Sequence, residues 1–204
     1  MKFRLPAFLS LAAVPAWLLA SPAPASASPA PLFLPDRDVA ITYQLNTPGH
    51  APQEYRLHYN AAGGLARVET PAQGIFVLAD LSAGQAQIVV PFLHAFEEAP
   101  DFSDLTRMIA HAGGARFTPL GHGNYAGMGC EKYLVMNHEG SGTACITHDG
   151  VILHFAGRDS RGAADITALS VDFSPHPSGT FATPDGFSEI SLPPGALAAL
   201  LQQQ

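Results

Sequence analysis

"GMGCEKYLVMNHEGSGTACITHDGVILHF", residues 127–155, carries both cysteines of the chain within alternating apolar and polar residues. Alternation with a period of two is typical of β-strands that bury one face. Asp149-Gly150 predicts a two-residue hairpin loop, because both residues accept the positive φ angles of such a turn. The residue pairs that this loop predicts are His148 with Val151, Ile146 with Leu153, and Ala144 with Phe155.

The two cysteines, Cys130 and Cys145, predict a disulfide if the chain is exported to an oxidising compartment. In the loop-entropy model, a bond of this span stabilises the fold by roughly 3 kcal/mol. A turn at residues 139–142 would place Cys145 opposite Met136 instead of Cys130. The bond therefore requires a bulge, an earlier turn near residues 137–138, or pairing between strands that are not neighbours.

The N-terminal residues have the order of a secretory signal peptide. Lys2 and Arg4 precede an apolar run over residues 6–20, and an Ala-Ser-Ala tract follows at residues 25–27. The run of about 15 residues is shorter than the roughly 20 that span a bilayer. We expect cleavage after Ala27 and a soluble exported chain, periplasmic or secreted, with no transmembrane segment.

The chain is acidic, which excludes one large class of partners. Its formal charge of −7 becomes −9 when Lys2 and Arg4 are removed with the leader. Affinity for nucleic acids comes largely from Lys and Arg side chains that neutralise phosphates, and anionic membranes attract basic clusters for the same reason. We therefore expect no nucleic-acid partner.

From residue 38 onward, apolar residues recur with a period of two, as at Val39, Ile41, Tyr43 and Leu45. Turn-forming sequences separate such segments about every 10 residues, which predicts a meander of antiparallel strands. The predicted strands are residues 39–45, 54–59, 65–69, 74–80, 85–92, 116–120, 132–136, 143–147, 151–155 and 166–173.

One segment follows a helical period instead. Phe102, Leu105 and Met108 recur at helical spacing, and Gly113-Gly114 can end a helix. This predicts one helix of roughly ten residues. The expected organisation is a signal peptide over residues 1–27, a disordered lead-in over 28–37, one β domain over 38–190, and a tail or short helix over 191–204.

Neither a metal site nor a catalytic site is predicted. Zinc sites normally contain closely spaced ligand pairs such as Cys-x₂-Cys, and the cysteines and histidines of this chain are scattered singly. Ser141 lies in Gly-Ser-Gly, which lacks the spacing of a nucleophile elbow. His148 and Asp149 are adjacent in sequence, and the acids Glu97 and Glu98 are most simply explained as a solvated edge.

Four segments of the chain resemble a family of exported bacterial proteins, domain of unknown function 4412. They are DLSAGQAQIVVP at residues 80–91, AGMGCEKY at 126–133, ACITHDGVIL at 144–153 and FATPDGF at 181–187. The family is related in general plan to periplasmic lipoprotein carriers of the LolA and LppX type. The resemblance implies a curved antiparallel sheet, a half-barrel, with one helix packed on its concave side. It implies no catalytic residues.

The leading hypothesis is a non-enzymatic protein without a cofactor that binds or carries an apolar ligand, such as a lipid, an acyl chain or a lipidated protein. The alternative is an envelope module that binds another protein through a sheet edge or through residues 192–201. Aromatic and branched residues along the strands and the predicted helix are candidates for a cavity lining, although core packing explains each of them at least as well. The candidate lining residues are Tyr43, Tyr55, Leu57, Phe76, Leu78, Ile88, Val90, Phe92, Phe102, Leu105 and Met108.

Overall fold

The structure, a computed structural model, describes residues 30–99, 114–138, 140–159 and 162–191. Within these ranges, twelve strands form one sheet. The strands are β1 (Val39–Asn46), β2 (Gln53–Asn60), β3 (Leu65–Thr70), β4 (Ile75–Asp80), β5 (Gln85–Val90), β6 (Ala95–Glu98), β7 (Arg116–Tyr125), β8 (Met128–Met136), β9 (Gly140–Ile146), β10 (Ile152–Asp159), β11 (Ala163–Asp172) and β12 (Ser188–Glu189). A 3-10 turn, Pro91–Leu93, connects β5 to β6.

The order of strands across the sheet is β12-β6-β5-β4-β3-β2-β1-β11-β10-β9-β8-β7. Two meanders, β1 to β6 and β7 to β11, therefore join side by side through the antiparallel pair of β1 and β11. Among the described strands, β12 and β6 form the one parallel pair. The prediction of a mainly β fold with one curved antiparallel sheet is confirmed.

Short turns of one form connect β2, β3, β4 and β5. Each turn ends at a glycine with φ between 63° and 67°, namely Gly64, Gly74 and Gly84. Glycine adopts such angles without the Cβ clash that other residues meet. In the last turn, Asp80 Oδ1 also accepts hydrogen bonds from the N–H groups of Ser82 and Ala83, at 2.9 and 2.8 Å. The sequence therefore specifies both the position and the form of these hairpins.

The packed helix is the main correction to the expected fold. Across the described ranges, Pro91–Leu93 is the one helical element, and the structure shows no α-helix packed on the sheet. A half-barrel with one helix on its concave side is therefore wrong in that respect. The segment around Phe102, Leu105 and Met108 lies outside the described residues, as do residues 192–204 of the expected tail or short helix.

The hairpin between β9 and β10 differs from the predicted two-residue loop. The N–H of Gly150 donates to Thr147 O at 3.1 Å, and the N–H of Thr147 donates to Val151 O at 2.9 Å. Thr147 and Val151 therefore flank a loop of three residues, with Gly150 at a φ of 83° in its last position. This is a turn followed by a glycine bulge, a common form of three-residue hairpin loop.

A second irregularity restores the expected register farther along the same hairpin. Ile152 lies opposite Ile146 and Phe155 opposite Ala144, so Leu153 is an extra residue between the two pairs. The longer loop and this bulge shift the register by one residue in opposite senses. The predicted pair of Ala144 with Phe155 is confirmed, whereas the pairs His148 with Val151 and Ile146 with Leu153 are wrong.

The predicted disulfide between Cys130 and Cys145 is confirmed, with the two Cα atoms 5.4 Å apart. Met136 lies opposite Ser141 and Lys132 opposite Cys145, so the turn between β8 and β9 occurs near residues 137–138. Of the three alternatives for closing the bond, the earlier turn is therefore the correct one. The bond is a diagonal link between neighbouring strands, because Cys130 lies two residues from the partner of Cys145.

The half of the sheet that contains β7 to β10 is strongly curled. Neighbouring strands are about 4.8 Å apart, so three strand spacings would separate β7 from β10 by roughly 14 Å in a flat sheet. Instead, the ring of Tyr125 in β7 stacks on the ring of His154 in β10, with centroids 4.6 Å apart and planes 4° from parallel. Both meanders contribute to one buried cluster, which includes Ile41, Ala66 and Leu153. The sheet is thus curved but not closed.

Residues 30–37 contact the sheet at the β9–β10 hairpin. The N–H of Asp36 donates to Asp149 O at 3.0 Å, and an Arg37 Nη2 atom lies 2.6 Å from Asp149 Oδ2. The Phe33 ring packs on Phe117 with centroids 4.8 Å apart. These contacts give the segment before β1 a defined place on the sheet, which the prediction of a disordered lead-in did not include.

Candidate functional site

One face of β2 to β5 carries a continuous row of apolar side chains across the strands. In register, Leu57 of β2 lies opposite Val68 of β3, Val68 opposite Val77 of β4, and Val77 opposite Ile88 of β5. We call these four side chains the apolar row and the side of the sheet that carries them the inner face. All four are only partly buried. Their side chains are therefore available, in part, for contact with another molecule.

A second row on the inner face consists of small residues. Ala66, Ala79 and Ala86 are cross-strand partners in β3, β4 and β5, two residues along each strand from the apolar row. They are buried, with exposed fractions of 5–9%. The alanines belong to the buried cluster that also includes Ile41 and Leu153, so this row is part of the core.

Five of the candidate lining residues lie on the inner face: Tyr43, Tyr55, Leu57, Ile88 and Val90. Tyr43 and Tyr55 are cross-strand partners in β1 and β2. The hydroxyl of Tyr43 donates to Ile152 O at 2.8 Å, and burial raises the pKa of this phenol far above its usual value. The structure thus brings together about half of the predicted set. Their role in binding remains a prediction.

The other candidate residues do not join them. Phe76 and Leu78 point to the opposite face, where they form a buried cluster with Val89. Phe92 lies in the 3-10 turn, and 46% of its surface is exposed. Phe102, Leu105 and Met108 lie outside the described residues. The structure therefore does not assemble a single cavity from the full predicted set.

Sequence reasoning missed two members of the apolar row, Val68 and Val77. Both lie in the middle of strands whose existence was predicted, but only the register shows that they align with Leu57 and Ile88. The turns that end at Gly64 and Gly74 contain this information, because turn form and length determine hairpin register. Counting outward from those turns would have found both valines.

The opposite face of β2 to β6 is covered by residues 173–191, which we call the C-terminal strap. The Phe187 ring packs against the cluster of Phe76, Leu78 and Val89. The strap ends in β12, and the N–H groups of Ser188 and Ile190 donate to His94 O and Phe96 O at 3.0 and 2.9 Å. The strap therefore covers one apolar face of the sheet and also the outer edge of β6.

A cavity of about 230 Å³ lies between the strap and this covered face. Its lining includes Leu78, Gln87 and Glu98 from the sheet and Phe181 and Thr183 from the strap. Thr183 Oγ1 donates to Gln87 Oε1 at 2.8 Å across it. Ligand pockets usually have volumes of about 300–1,000 Å³, so this cavity is smaller than a typical lipid site.

A polar cluster lies where β1, β10 and β11 meet. His154 Nε2 is 3.0 Å from Asp165 Oδ2, while Asp165 Oδ1 accepts from Asn46 Nδ2 and Thr167 Oγ1, both at 3.3 Å. With both carboxylate oxygens engaged, Asp165 fixes the imidazole that stacks on Tyr125. The cluster is thus explained by its own hydrogen bonds and supports the curvature of the sheet.

The residues considered for catalysis or metal binding are not assembled. Asp149 forms its ion pair with Arg37. His148 is exposed in the hairpin loop, and Ser141 is exposed in β9 opposite Met136. Within the described ranges, no group of three or more His, Cys, Asp or Glu side chains is placed to hold a metal ion. The same ranges contain no helix long and apolar enough to cross a membrane.

Comparison with known proteins gives similarity of fold only. No protein-family model matches the chain, and no curated protein matches it. The resemblance to the family of domain of unknown function 4412 is therefore not confirmed. The fold is similar to that of an uncharacterized conserved protein from Thermus thermophilus, with a TM-score of 0.55, 13% identity, and coverage of 76% of this chain and 90% of that chain.

Two further solved structures are similar at lower scores. A LolA superfamily protein from Nitrosomonas europaea has a TM-score of 0.39 and 10% identity, over 74% of this chain and 92% of that chain. The lipoprotein LppX from Mycobacterium tuberculosis has a TM-score of 0.44 and 11% identity, over 68% of this chain and 88% of that chain. These likenesses identify no ligand.

Proposed function

We propose that this chain is a non-enzymatic binding protein for an apolar ligand, such as an acyl chain or the chain of a lipidated protein, which lies on the inner face. The observation that carries the proposal is the apolar row. Leu57, Val68, Val77 and Ile88 are adjacent across four strands, and all four remain partly exposed. Burial of this surface by a ligand would be favourable at about 25 cal/mol per Å².

The shape of the row favours an elongated ligand. Three spacings between neighbouring strands give it a length of about 14 Å. Side chains in the row are aliphatic, and the cross-strand partner of Ile88 at its β6 end is Glu97. A linear hydrocarbon that lies across the strands would contact every member of the row, whereas a compact ligand would contact only two or three.

The rest of the described sheet offers fewer binding surfaces. The strap covers the opposite face, and β12 pairs along the outer edge of β6. At the other edge, β7 is interrupted by Pro119 and by a register irregularity between Pro119 and Gly121, features that hinder addition of another strand. These features favour the inner face over a sheet edge as the place where a ligand binds.

Export to the periplasm or the exterior is part of the same proposal. It rests on the signal-peptide pattern of residues 1–27 and agrees with the disulfide, since such bonds persist in oxidising compartments. A carrier in that location would meet lipids and lipidated proteins. Mass spectrometry of protein from an envelope fraction tests this step, with a mature N-terminus at Ser28 as the expected result.

Binding is tested with the purified, delipidated chain and a fluorescent acyl-chain probe. The informative variant is V68T/V77T, because threonine keeps the shape of valine and replaces one methyl group by a hydroxyl at each of two central positions. Placing a hydroxyl against an apolar ligand costs roughly 1 kcal/mol, so the two changes should weaken binding at least about tenfold. V135T is the control, since Val135 packs in a separate cluster with Tyr133 and Ile146.

Binding of the probe that is competed by unlabelled fatty acid, lost in V68T/V77T and retained in V135T, is the expected pattern. The proposal is overturned if the delipidated chain does not bind the probe. It is also overturned if V68T/V77T and V135T bind the probe equally well, because the ligand would then lie away from the apolar row.

A further inference from the structure

We propose that the C-terminal strap is a pH-sensitive cover, latched where His176 lies against His58, and that uptake of a proton by His58 lifts residues 174–183 off the sheet. The inference is independent of the acyl-chain proposal, which concerns the inner face. It rests on how the imidazole of His58 is enclosed, on the charges around it, and on how the two ends of the strap are held.

His58 is partly buried, and one of its ring nitrogens lies in a position that favours the neutral form. Its Nδ1 atom is buried and has no hydrogen-bond partner among the described residues. A neutral imidazole can leave this nitrogen as an unprotonated acceptor at modest cost. The protonated ring would instead hold a buried N–H donor without an acceptor, together with a charge, and such groups are costly to bury. Hydration of His58 would remove that cost.

The positive groups around His58 also oppose its protonation, whereas Glu69 favours it. Arg67 of β3 is its direct cross-strand partner, and Arg56 lies two residues away on the same strand and face. The strap adds His176, while β1 contributes the uncharged Ala40 as the opposite partner. Glu69 is the carboxylate that favours protonation of His58, and it forms an ion pair with Arg67 at 2.7 Å.

His176 connects this environment to the strap. Its ring meets the His58 ring edge-on with centroids 5.5 Å apart, and its Nε2 lies 2.9 Å from Tyr59 O. On the other side, Phe181 packs against the His176 ring with centroids 5.1 Å apart. The carboxylate of Asp172, in β11, interacts electrostatically with His176. The strap therefore packs against the imidazole of His58, and its separation from the sheet would increase the exposure of that ring.

Further contacts define which part of the strap can lift. Arg67 Nη1 donates to Thr180 O at 3.2 Å, and the Arg67 guanidinium lies 3.7 Å above the Phe76 ring. Beyond this point, Phe187 and β12 anchor the strap in the cluster around Val89 and along β6. The N-terminal end of the strap is continuous with β11. Residues 174–183 can therefore separate from the sheet while both ends stay attached.

The direction of the pH effect follows from linkage. The pKa of His58 in the closed state lies below its ordinary value of 6.5, and burial is the largest cause. Glu69 is the next largest and raises this pKa, while His176, Arg67 and Arg56 lower it. In a lifted state, the pKa of the hydrated ring returns toward 6.5. The lifted state therefore binds the proton more tightly, and it gains population as the pH falls below about 6.5. Above that pH, His58 is neutral in both states and does not change the population of the lifted state.

Lifting of the strap would expose the apolar surface beneath it. Phe181 and Thr183 would leave the cavity that they close, and Leu78 of the sheet would become accessible. The chain would then present a second apolar surface only under acidic conditions. Such a device would couple acidity to binding or release on the face opposite the apolar row.

Hydrogen exchange of the full chain, followed by mass spectrometry and corrected for intrinsic rates, tests the proposal. Between about pH 7.5 and pH 5.5, the opening equilibrium of a peptide that covers residues 174–183 should rise at least about threefold. Peptides from β3 and β4 should show no matching change. A strap signal that does not vary with pH in the wild-type chain overturns the proposal, as does equal opening of β3 and β4.

Variants then identify the titrating group. His58→Phe keeps an aromatic ring and removes the titration, so its strap should open equally at both pH values. His50→Gln, at an exposed turn position, should retain the wild-type response. Glu69→Gln removes the opposing carboxylate and should increase acid opening. If either His58→Phe keeps the full response or Glu69→Gln weakens it, the assignment to His58 is wrong.

Discussion

Gly123 in β7 borders the disulfide so closely that a Cβ atom at this position would lie 2.9 Å from Cys145 Sγ. It would also lie 2.6 Å from Lys132 Cε, but a lysine side chain can move aside, whereas the bonded sulfur cannot. Gly123→Ala should therefore destabilise the fold by about 1–3 kcal/mol through overpacking. Urea unfolding of the purified chain measures this change.

Gly129→Ala is the matched control for that prediction. Gly129 lies in the neighbouring strand β8, and a Cβ atom there would meet nothing within 4 Å. The alanine should be neutral or stabilising by up to about 1 kcal/mol, because it restricts the unfolded chain. Equal unfolding midpoints for the two variants would contradict the close approach of Gly123 to the disulfide.

Replacement of both cysteines by alanine should cost about 3 kcal/mol of unfolding free energy. The bond joins residues 15 apart in sequence, and its loss increases the conformational entropy of the unfolded chain. Cys130 and Cys145 are 6% and 1% exposed, so alanine is preferred to serine, which would bury two new hydroxyls. Urea midpoints should fall on addition of dithiothreitol in the wild-type chain but not in the double variant. A wild-type midpoint that does not respond to a reductant that opens the bond would refute this account.

The hairpin at Gly150 tests whether residues 32–34 pack against the sheet. A Cβ atom at Gly150 would collide with the carbonyl oxygen of Leu34 and lie 3.1 Å from Leu32 Cβ. Gly150 and Gly49 share a φ of 83°, but nothing lies within 4 Å of a Cβ at Gly49. Alanine at either position carries the conformational cost of positive φ, about 1–2 kcal/mol, and Gly150→Ala adds the collision.

Gly150→Ala should therefore be less stable than Gly49→Ala, and residues 30–37 should become more sensitive to protease in that variant alone. Thermal unfolding and limited proteolysis of both variants provide the comparison. Equal stability together with equal protease sensitivity would show that the segment before β1 does not rest on this hairpin.

Local pattern predicted the strands well because each hairpin carries its own turn chemistry. The alternation at Val39 and Ile41 and the glycine turns at Gly64 and Gly74 are local signals, and the structure confirms the strands that they define. Register near the cysteines was less certain, since a turn near residues 137–138 competes with the glycine-rich residues 139–142. The pairing of β8 with β9 settles that competition.

What the sequence did not predict depends on contacts between distant residues. β6 was missed because Glu97 and Glu98 were interpreted as a solvated edge, whereas Glu97 pairs opposite Ile88 and Glu98 opposite Gln87. The strap was also missed as a structural element, since its short β12 forms only by pairing with β6, about 90 residues earlier in the chain. In the β9–β10 hairpin, the three-residue loop and the bulge at Leu153 shift the register in opposite senses. Residues beyond the bulge therefore have the register that a two-residue loop would give, and the sequence pattern predicted neither irregularity.

Phe187 should carry most of the energy that anchors the strap. Its ring packs on the buried cluster of Phe76, Leu78 and Val89, so Phe187→Ala should destabilise the fold by about 3 kcal/mol and increase hydrogen exchange throughout residues 173–191. Phe92→Ala is the control of equal size, because Phe92 is 46% exposed at the β5–β6 tip, and it should cost less than about 1 kcal/mol. If Phe92→Ala costs as much as Phe187→Ala, or if the strap stays protected without Phe187, another contact anchors it.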